Sequence, residues 1–100
     1  MTVACYPFGE TLNRLSDKVA LAFDENDCTL LLYVPHPTDA QAPHERDEVY
    51  VVARGDAEFD SGGAQRQVSV GDAIFVSKNE VHKFNSPSED FAVWAFFYPS

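Results

Sequence analysis

The sequence predicts an all-β domain, a single barrel or jelly roll of short antiparallel strands. Turn signals recur at short, regular intervals along the 100-residue chain, and the segments between them are short and rich in strand-forming residues. No long segment shows the 3.6-residue period of an amphipathic helix, which argues against α/β folds. Hydrophobic residues make up 45% of the chain, enough for one packed core, and 100 residues leave no room for a second.

The N-terminal third predicts an arm followed by two strands. Residues 1–17 are mixed in composition and form an arm with at most one helical turn, at Thr11–Leu15. The barrel then spans residues 18–98. Lys18–Phe23 alternates loosely, as an edge strand does, and Cys28–Val34 is an apolar run too short for a buried helix. Prolines on both sides of His36 end the second strand, because proline cannot donate a ladder hydrogen bond.

The rest of the chain predicts six further strands. Most of them are separated by polar or glycine-containing turns, and Ser61-Gly62-Gly63 reads as a hairpin tip. The last strand is apolar on both faces, so alternation does not decide which of its rings point inward. The six strands are Glu48–Arg54, Ala57–Asp60, Gln65–Val70, Ala73–Val76, Val81–Asn85 and Phe91–Tyr98.

Composition narrows the classes of partner. The chain carries 7 Lys and Arg against 16 Asp and Glu, a formal charge of −9. A surface this acidic repels nucleic-acid backbones and anionic lipid, so we expect neither as a partner. Cys5 and Cys28 lack CxxC spacing, and nothing at the N-terminus resembles a signal peptide. We therefore expect reduced thiols and a cytoplasmic protein.

Two segments resemble the paired motifs of the cupin superfamily. The first cupin motif is written G-x5-H-x-H-x3-4-E-x6-G, and His44, Glu48 and Gly55 match its second half at the allowed spacing. Ala42 stands at the position of the first motif histidine and has no side chain that binds metal. Asp47 is a competing carboxylate, but the spacing to Gly55 favours Glu48.

The second segment matches less completely. The second cupin motif is written G-x5-P-x-G-x2-H-x3-N, and Gly71 and His82 have the required separation. Ser77 replaces the motif proline, Asn79 replaces the glycine, and Asn85 lies one residue early. Together the two segments resemble a small single-domain cupin over about residues 39–99.

The resemblance implies a cupin-type barrel whose metal ligands are His44, Glu48 and His82. Gln41, beside the unfilled histidine position, is a candidate for an additional contact. Two imidazoles and one carboxylate suit a divalent transition metal such as Fe, Mn, Ni or Zn, and the sequence does not select among them. His36, between two prolines, is expected to be exposed and not to bind the metal.

The implied activity is a metal-dependent dioxygenase, isomerase or lyase acting on a small organic molecule in the barrel. Two alternatives stay open: a metal-free module that binds or senses a small molecule, and a structural barrel that dimerises and keeps a vestigial site. Alternation from Glu48 predicts that Tyr50 and Val52 face the pocket, and Phe84 shares a strand face with His82. An edge strand and many aromatic residues together predict a homodimer.

Overall fold

The structure is a computed structural model that describes residues 4–36 and 44–98. The described residues form one short helix and eight strands, which confirms the all-β prediction. In chain order they are α1 (Phe8–Leu12), β1 (Val19–Glu25), β2 (Cys28–Tyr33), β3 (Asp47–Arg54), β4 (Asp56–Ser61), β5 (Ala64–Ser69), β6 (Ala73–Val76), β7 (His82–Asn85) and β8 (Ala92–Tyr98). Every predicted strand corresponds to one of these, and the boundaries differ by at most two residues.

The strands build two antiparallel sheets that enclose the core. One sheet has five strands in the order β1-β2-β8-β3-β6, and the other has three in the order β5-β4-β7. Chain neighbours are often not sheet neighbours, as in the Greek-key connections of a jelly roll. Rings from both sheets meet between them: Tyr50 of β3 packs on Phe59 of β4 and Phe84 of β7, with centroids 6.2 and 4.9 Å away.

The predicted helical turn lies earlier in the chain than the sequence indicated. Helix α1 begins at Phe8, directly after Pro7, and Thr11 donates both its amide and its hydroxyl to the Pro7 carbonyl. The apolar side of this segment covers part of the outer face of the five-stranded sheet, where Phe8 meets Trp94 of β8 at 6.4 Å. This contact explains why β8 is apolar on both faces: Val93 and Ala95 are in the main core, whereas Trp94 packs under the arm.

Two tight turns fix the hairpin registers. Asn26 and Asp27, between β1 and β2, have φ angles of 54° and 64°, as a two-residue hairpin of type I′ requires. Gly62 and Gly63 form the corresponding two-residue turn between β4 and β5, with φ angles of 59° and 86°. Both turns lie where the sequence predicts them.

Within the described residues, no helix is long and apolar enough to span a membrane.

Candidate metal centre

The three predicted ligands lie together at one end of the barrel. Glu48 is on β3 and faces inward with Tyr50, because alternate residues of a strand share a face. His82 is the first residue of β7, in the opposite sheet, and His44 precedes β3 by three residues. One candidate ligand atom from each of the three side chains lies within 4.8 Å of the other two.

His44 is held by backbone contacts from both motif segments. Its Nδ1 lies 2.8 Å from the carbonyl oxygen of Arg46, and its own carbonyl accepts the amide of Asn79 at 2.7 Å. Asn79 has a φ angle of 65°, in the left-handed region that asparagine tolerates better than most residues. Asparagine in place of the motif glycine therefore preserves the turn, and that turn holds the histidine of the first segment.

His82 is fully buried and held in a similar way. Its Nδ1 lies 3.0 Å from the carbonyl oxygen of Glu80, and its backbone is in register with Ser61 of β4. The side chain has no exposed surface. The ring therefore has one orientation, set by the turn that precedes β7.

Backbone carbonyls thus fix the tautomer of both histidines. An Nδ1 that faces a carbonyl must carry the proton, which leaves the Nε2 lone pair of a neutral ring available. Both Nε2 atoms face Glu48 Oε1, at 2.8 Å from His44 and 3.5 Å from His82. Three acceptors that face one another require a positive charge between them, either a proton or a metal ion. Nδ1–H donation to a backbone carbonyl is also the usual support of a metal-binding histidine.

The pKa of His82 depends on the balance between its burial and its contacts. Burial lowers the pKa, but the hydrogen bond and charge of Glu48 and the Glu80 carbonyl raise it, and the net result is a pKa above the ordinary value. The contact with the Glu48 carboxylate therefore makes the protonated form of His82 more stable than that of a free imidazole.

Tyr50 has a contact that the sequence did not reveal. We expected it only to line the pocket, yet its buried hydroxyl lies 3.0 Å from His82 Nε2. In the neutral form of the ring this hydroxyl donates to the lone pair that a metal would use. The spacing could have placed Tyr50 beside the ligands, because a residue two positions after Glu48 on a strand shares its face.

A cavity of about 270 Å³ opens beside Glu48 and Tyr50. Its other walls come from β1, β2 and β8, on the inner side of the five-stranded sheet: Val19, Leu31, Tyr33, Ala95 and Phe97. Phe97 also contacts the His44 ring edge to face, at 4.9 Å, and so joins the cavity to the histidine cluster. Of the three predicted pocket residues, Tyr50 lines this cavity, whereas Val52 and Phe84 lie in the packed core.

The remaining candidate residues lie outside the cluster. Asp47 accepts the amide of Lys78 at 2.8 Å and stabilises the turn after β6. His36 is exposed, as expected, and its Nε2 lies 3.9 Å from Asp17 Oδ1. Gln41 and Ala42 are outside the described residues, so the proposed additional contact stays a prediction.

The donor set fits a divalent transition-metal ion. Two neutral imidazole nitrogens and one carboxylate oxygen are the donors that Fe, Mn, Ni and Zn accept in proteins. Glu48 Oε1 lies 2.8 and 3.5 Å from the two Nε2 atoms, and these separations resemble those of neighbouring ligands around an ion with bonds of about 2.1 Å. His44, Glu48 and His82 are therefore able to hold such an ion without rearrangement of the barrel.

Comparison with known proteins supports both the fold and the motif assignment. An uncharacterized protein of Streptomyces coelicolor is 42% identical over 62 residues, which are 62% of this chain and 59% of that protein. The match thus spans less than two thirds of the length of this relative.

Two solved structures share the fold at low sequence identity. A conserved protein with a double-stranded β-helix domain from Klebsiella pneumoniae has a TM-score of 0.77 and 20% identity, over 98% of this chain and 91% of that one. A cupin 2 conserved barrel domain protein from Salinispora arenicola has a TM-score of 0.73 and 18% identity, over 100% of this chain and 92% of that one. The profile of the cupin domain family Cupin_2 matches residues 29–98, which include both motif segments, and the chain therefore belongs to this family of cupin domains.

Proposed function

We propose that this protein is a metal-binding cupin that holds one divalent transition-metal ion through His44, Glu48 and His82 and binds or acts on a small organic molecule in the adjacent cavity. The observation that carries the proposal is the convergence of three acceptor atoms, with both Nδ1 atoms directed to backbone carbonyls. A cation is the natural occupant of such a cluster.

The residues of this site have different roles. Glu48 supplies the negative charge, and the two imidazoles supply neutral Nε2 donors. A proton held by the metal-free cluster is released when an ion binds. Such an ion, when bound, acts as a Lewis acid and leaves coordination positions for a ligand from the cavity. Tyr50 lies between the cavity and His82, where its hydroxyl is placed to donate a hydrogen bond to a ligand.

One observation favours a metal-free binding module as the second candidate. Among the described residues, every buried side-chain polar atom has a hydrogen-bond partner. A proton shared between His44 and Glu48, together with the hydrogen bond from Tyr50 to His82, satisfies the cluster without a metal. In this version the same cavity holds a small molecule, and the cluster is structural.

Titration of metal into the EDTA-treated protein, expressed without a histidine tag, separates the two candidates. We expect one equivalent of Zn²⁺ or Co²⁺ to bind, measured by calorimetry and by the visible spectrum of Co²⁺. Glu48→Gln and His82→Gln keep the side-chain size but remove a donor, and each should weaken binding by tenfold or more. His36→Gln is the matched control, because it removes a histidine outside the cluster.

The results distinguish the candidates clearly. Loss of binding in both cluster variants but not in His36→Gln supports the metal centre. If the parent protein binds no ion, or if His82→Gln binds it as well as the parent, the assignment of a metal ion to this cluster is wrong. Oxygen consumption and product formation by the metal-loaded protein with small organic substrates then test for dioxygenase, isomerase or lyase activity.

We also propose a cytoplasmic location. Cys5 and Cys28 are both free thiols; Cys5 is exposed and Cys28 is half-buried. Free thiols of this kind suit a reducing compartment. Fractionation of cells that express the native gene, with detection by antibody, checks this location.

A further inference from the structure

The walls of the cavity beside Glu48 restrict the chemistry of the molecule that it holds. Aliphatic side chains and aromatic rings form most of the surface: Val19, Leu31, Ala95, Tyr33, Tyr50 and Phe97. The polar groups of Glu48 and Tyr50 lie together, because these residues share one face of β3. A ligand in this cavity therefore meets mostly aliphatic and aromatic carbon, with the Glu48 carboxylate as its one charged neighbour among the described lining residues.

The charge of the surroundings disfavours polyanions. Among the described residues, neither Lys nor Arg lines the cavity. Arg46 contacts one lining residue from outside the cavity, and its guanidinium carbon lies 5.1 Å from the centre of the Phe97 ring. That side chain donates to the Asp27 carbonyl and to Thr29, in the β1–β2 hairpin. Phosphate or a dicarboxylate would thus bring more negative charge than one divalent ion beside Glu48 neutralises, with no further cation in the cavity wall.

The volume of the cavity fits a small ring. An apolar cavity of about 150 Å³ holds benzene, so about 270 Å³ accommodates a substituted single ring or a molecule of similar size. Three aromatic rings line the cavity, those of Tyr33, Tyr50 and Phe97. These walls suit a planar ligand, because aromatic rings pack well against one another edge to face or offset.

We propose that the cavity binds a small planar aromatic molecule with a single oxygen donor, of the phenol class, and excludes phosphorylated compounds and dicarboxylates. This inference rests on the proposed function, because the oxygen donor is assigned to the end of the cavity at the metal centre. The ring lies among Leu31, Ala95 and Phe97, and the oxygen lies beside Glu48 and Tyr50.

Calorimetry of the zinc-loaded protein with phenol and with phenyl phosphate tests the proposal. The two probes share the same ring and differ in charge. We expect phenol to bind at least tenfold more tightly than phenyl phosphate. Zinc content is measured in the same samples, and phenol is also titrated into the EDTA-treated protein. A failure of the metal centre is thereby separated from a failure of the ligand class.

Two variants test the cavity itself. Ala95→Phe fills the space and should weaken phenol binding at least tenfold while the zinc content stays unchanged, because Ala95 donates nothing to the metal. Ala64→Phe is the matched control at an exposed hairpin position. Val19→Lys adds a cation at the most exposed lining residue, 37% exposed, and should raise the affinity for phenyl phosphate at least fivefold. Val70→Lys makes the same change of charge on another exposed valine.

Ala95 is buried, so Ala95→Phe is the variant at greater risk of misfolding. Val19→Lys changes an exposed residue and tests the cavity without that risk. Phenyl phosphate binding as tightly as phenol to the parent protein would overturn the proposal. So would phenol affinity that survives in a folded Ala95→Phe variant, or the absence of phenol binding with and without zinc. Loss of zinc alone, with phenol binding that still depends on Ala95, would contradict the metal centre and leave the ligand class in place.

Discussion

Tyr50 and His82 are the residues at which the structure adds most to the sequence. The hydroxyl of Tyr50 and the side chain of Glu48 both face His82 Nε2, at 3.0 and 3.5 Å. A metal ion must therefore displace a hydrogen bond before it binds His82. This competition sets how tightly the centre holds its ion and how the affinity responds to pH.

Replacing Tyr50 with phenylalanine should free the His82 lone pair. We expect the metal-free variant to lose about 0.5–1.5 kcal/mol of unfolding free energy, the net value of one hydrogen bond. The same energy should appear as tighter Zn²⁺ binding, by up to about tenfold. Urea denaturation and zinc calorimetry measure the two effects, and Tyr98→Phe is a control because Tyr98 stacks on Phe96 instead. Zinc binding at least tenfold weaker than in the parent would contradict this reasoning and show that the hydroxyl is itself a ligand.

The raised pKa of His82 predicts how the stability of the metal-free protein depends on pH. Because the folded-state pKa lies above the unfolded value of 6.5, the protonated ring stabilises the fold fully below about pH 6.5. This contribution disappears as the pH rises through the folded-state pKa. The titratable groups around the ring are Glu48, His44, Tyr50 and Glu80, and Glu80 acts through both its charge and its carbonyl.

The measurement is the unfolding free energy of the EDTA-treated parent minus that of His82→Gln, from pH 5.5 to 9. We expect the difference to be largest near pH 6 and to shrink as the pH rises. Zinc should have the opposite dependence, because it competes with the same proton and binds more tightly at higher pH. A parent-minus-variant difference that grows with pH would contradict the assigned contacts of His82.

The ligand residues themselves were predictable from the sequence, but their contacts were not. Spacing to Gly55 separates Glu48 from Asp47, and the structure gives Asp47 a different partner, the amide of Lys78. The contact between Tyr50 and His82 joins two residues 32 positions apart across two sheets. No local pattern encodes such a contact, because it depends on the register of both sheets.

At the scale of the elements, Gly55 forms the corner at which the chain passes from one sheet to the other. It separates β3 of the larger sheet from β4 of the smaller sheet, with a φ angle of 78°. A Cβ added there would lie 2.8 Å from both Phe91 Cα and Asp90 Oδ1, and closer still to Ser88 Oγ. The chain before β8 therefore packs directly against this corner, and only glycine fits.

Gly55→Ala should accordingly destabilise the protein far more than an alanine at another positive-φ glycine. Gly71 is the matched control, because its φ angle is 93° and a Cβ there meets nothing within 4 Å. Each substitution costs about 1–2 kcal/mol for the backbone conformation. We expect Gly55→Ala to cost at least about 2 kcal/mol more, since overpacking of a tight site typically adds 1–3 kcal/mol. Urea denaturation measures both variants, and equal losses would mean that the corner relaxes around the added methyl group.

The strands were the most predictable elements, and the helix was the least. Glycine and polar residues mark the turns on both sides of strands such as Ala73–Val76, so the bounds of these strands follow from the sequence. Helix α1 has only five residues, and its outer sheet contacts stabilise it more than its own propensity does. The apolar residues on both faces of β8 likewise indicated that both faces are buried. They did not indicate that the N-terminal arm covers the outer face.

At the scale of the whole molecule, the exposed edge of the larger sheet predicts association. Strand β1 is an edge strand, as expected, and Val19 and Leu21 on it are 37% and 49% exposed. Exposed edges pair readily with another chain unless they are covered. The other edge strand, β6, carries Phe75, which is 57% exposed. Homodimerisation therefore stays a prediction that the described surface supports.

Sedimentation at micromolar concentration tests the dimer. We expect a mass near twice 11.1 kDa for the parent protein and a shift toward the monomer for Leu21→Lys, because a charge on the β1 edge opposes pairing. Val70→Lys carries the same change of charge on an exposed turn and should remain dimeric. A parent mass near 11.1 kDa would rule out the dimer at this concentration.

The central claim is that one metal ion occupies the cluster of His44, Glu48 and His82. The most direct measurement is an anomalous difference map from crystals of the zinc-loaded protein, with data collected on both sides of the zinc absorption edge. We expect one strong peak about 2.1 Å from the Nε2 atoms of His44 and His82 and from a Glu48 carboxylate oxygen. A map with no peak there, or with its only strong peak beside His36, would contradict it.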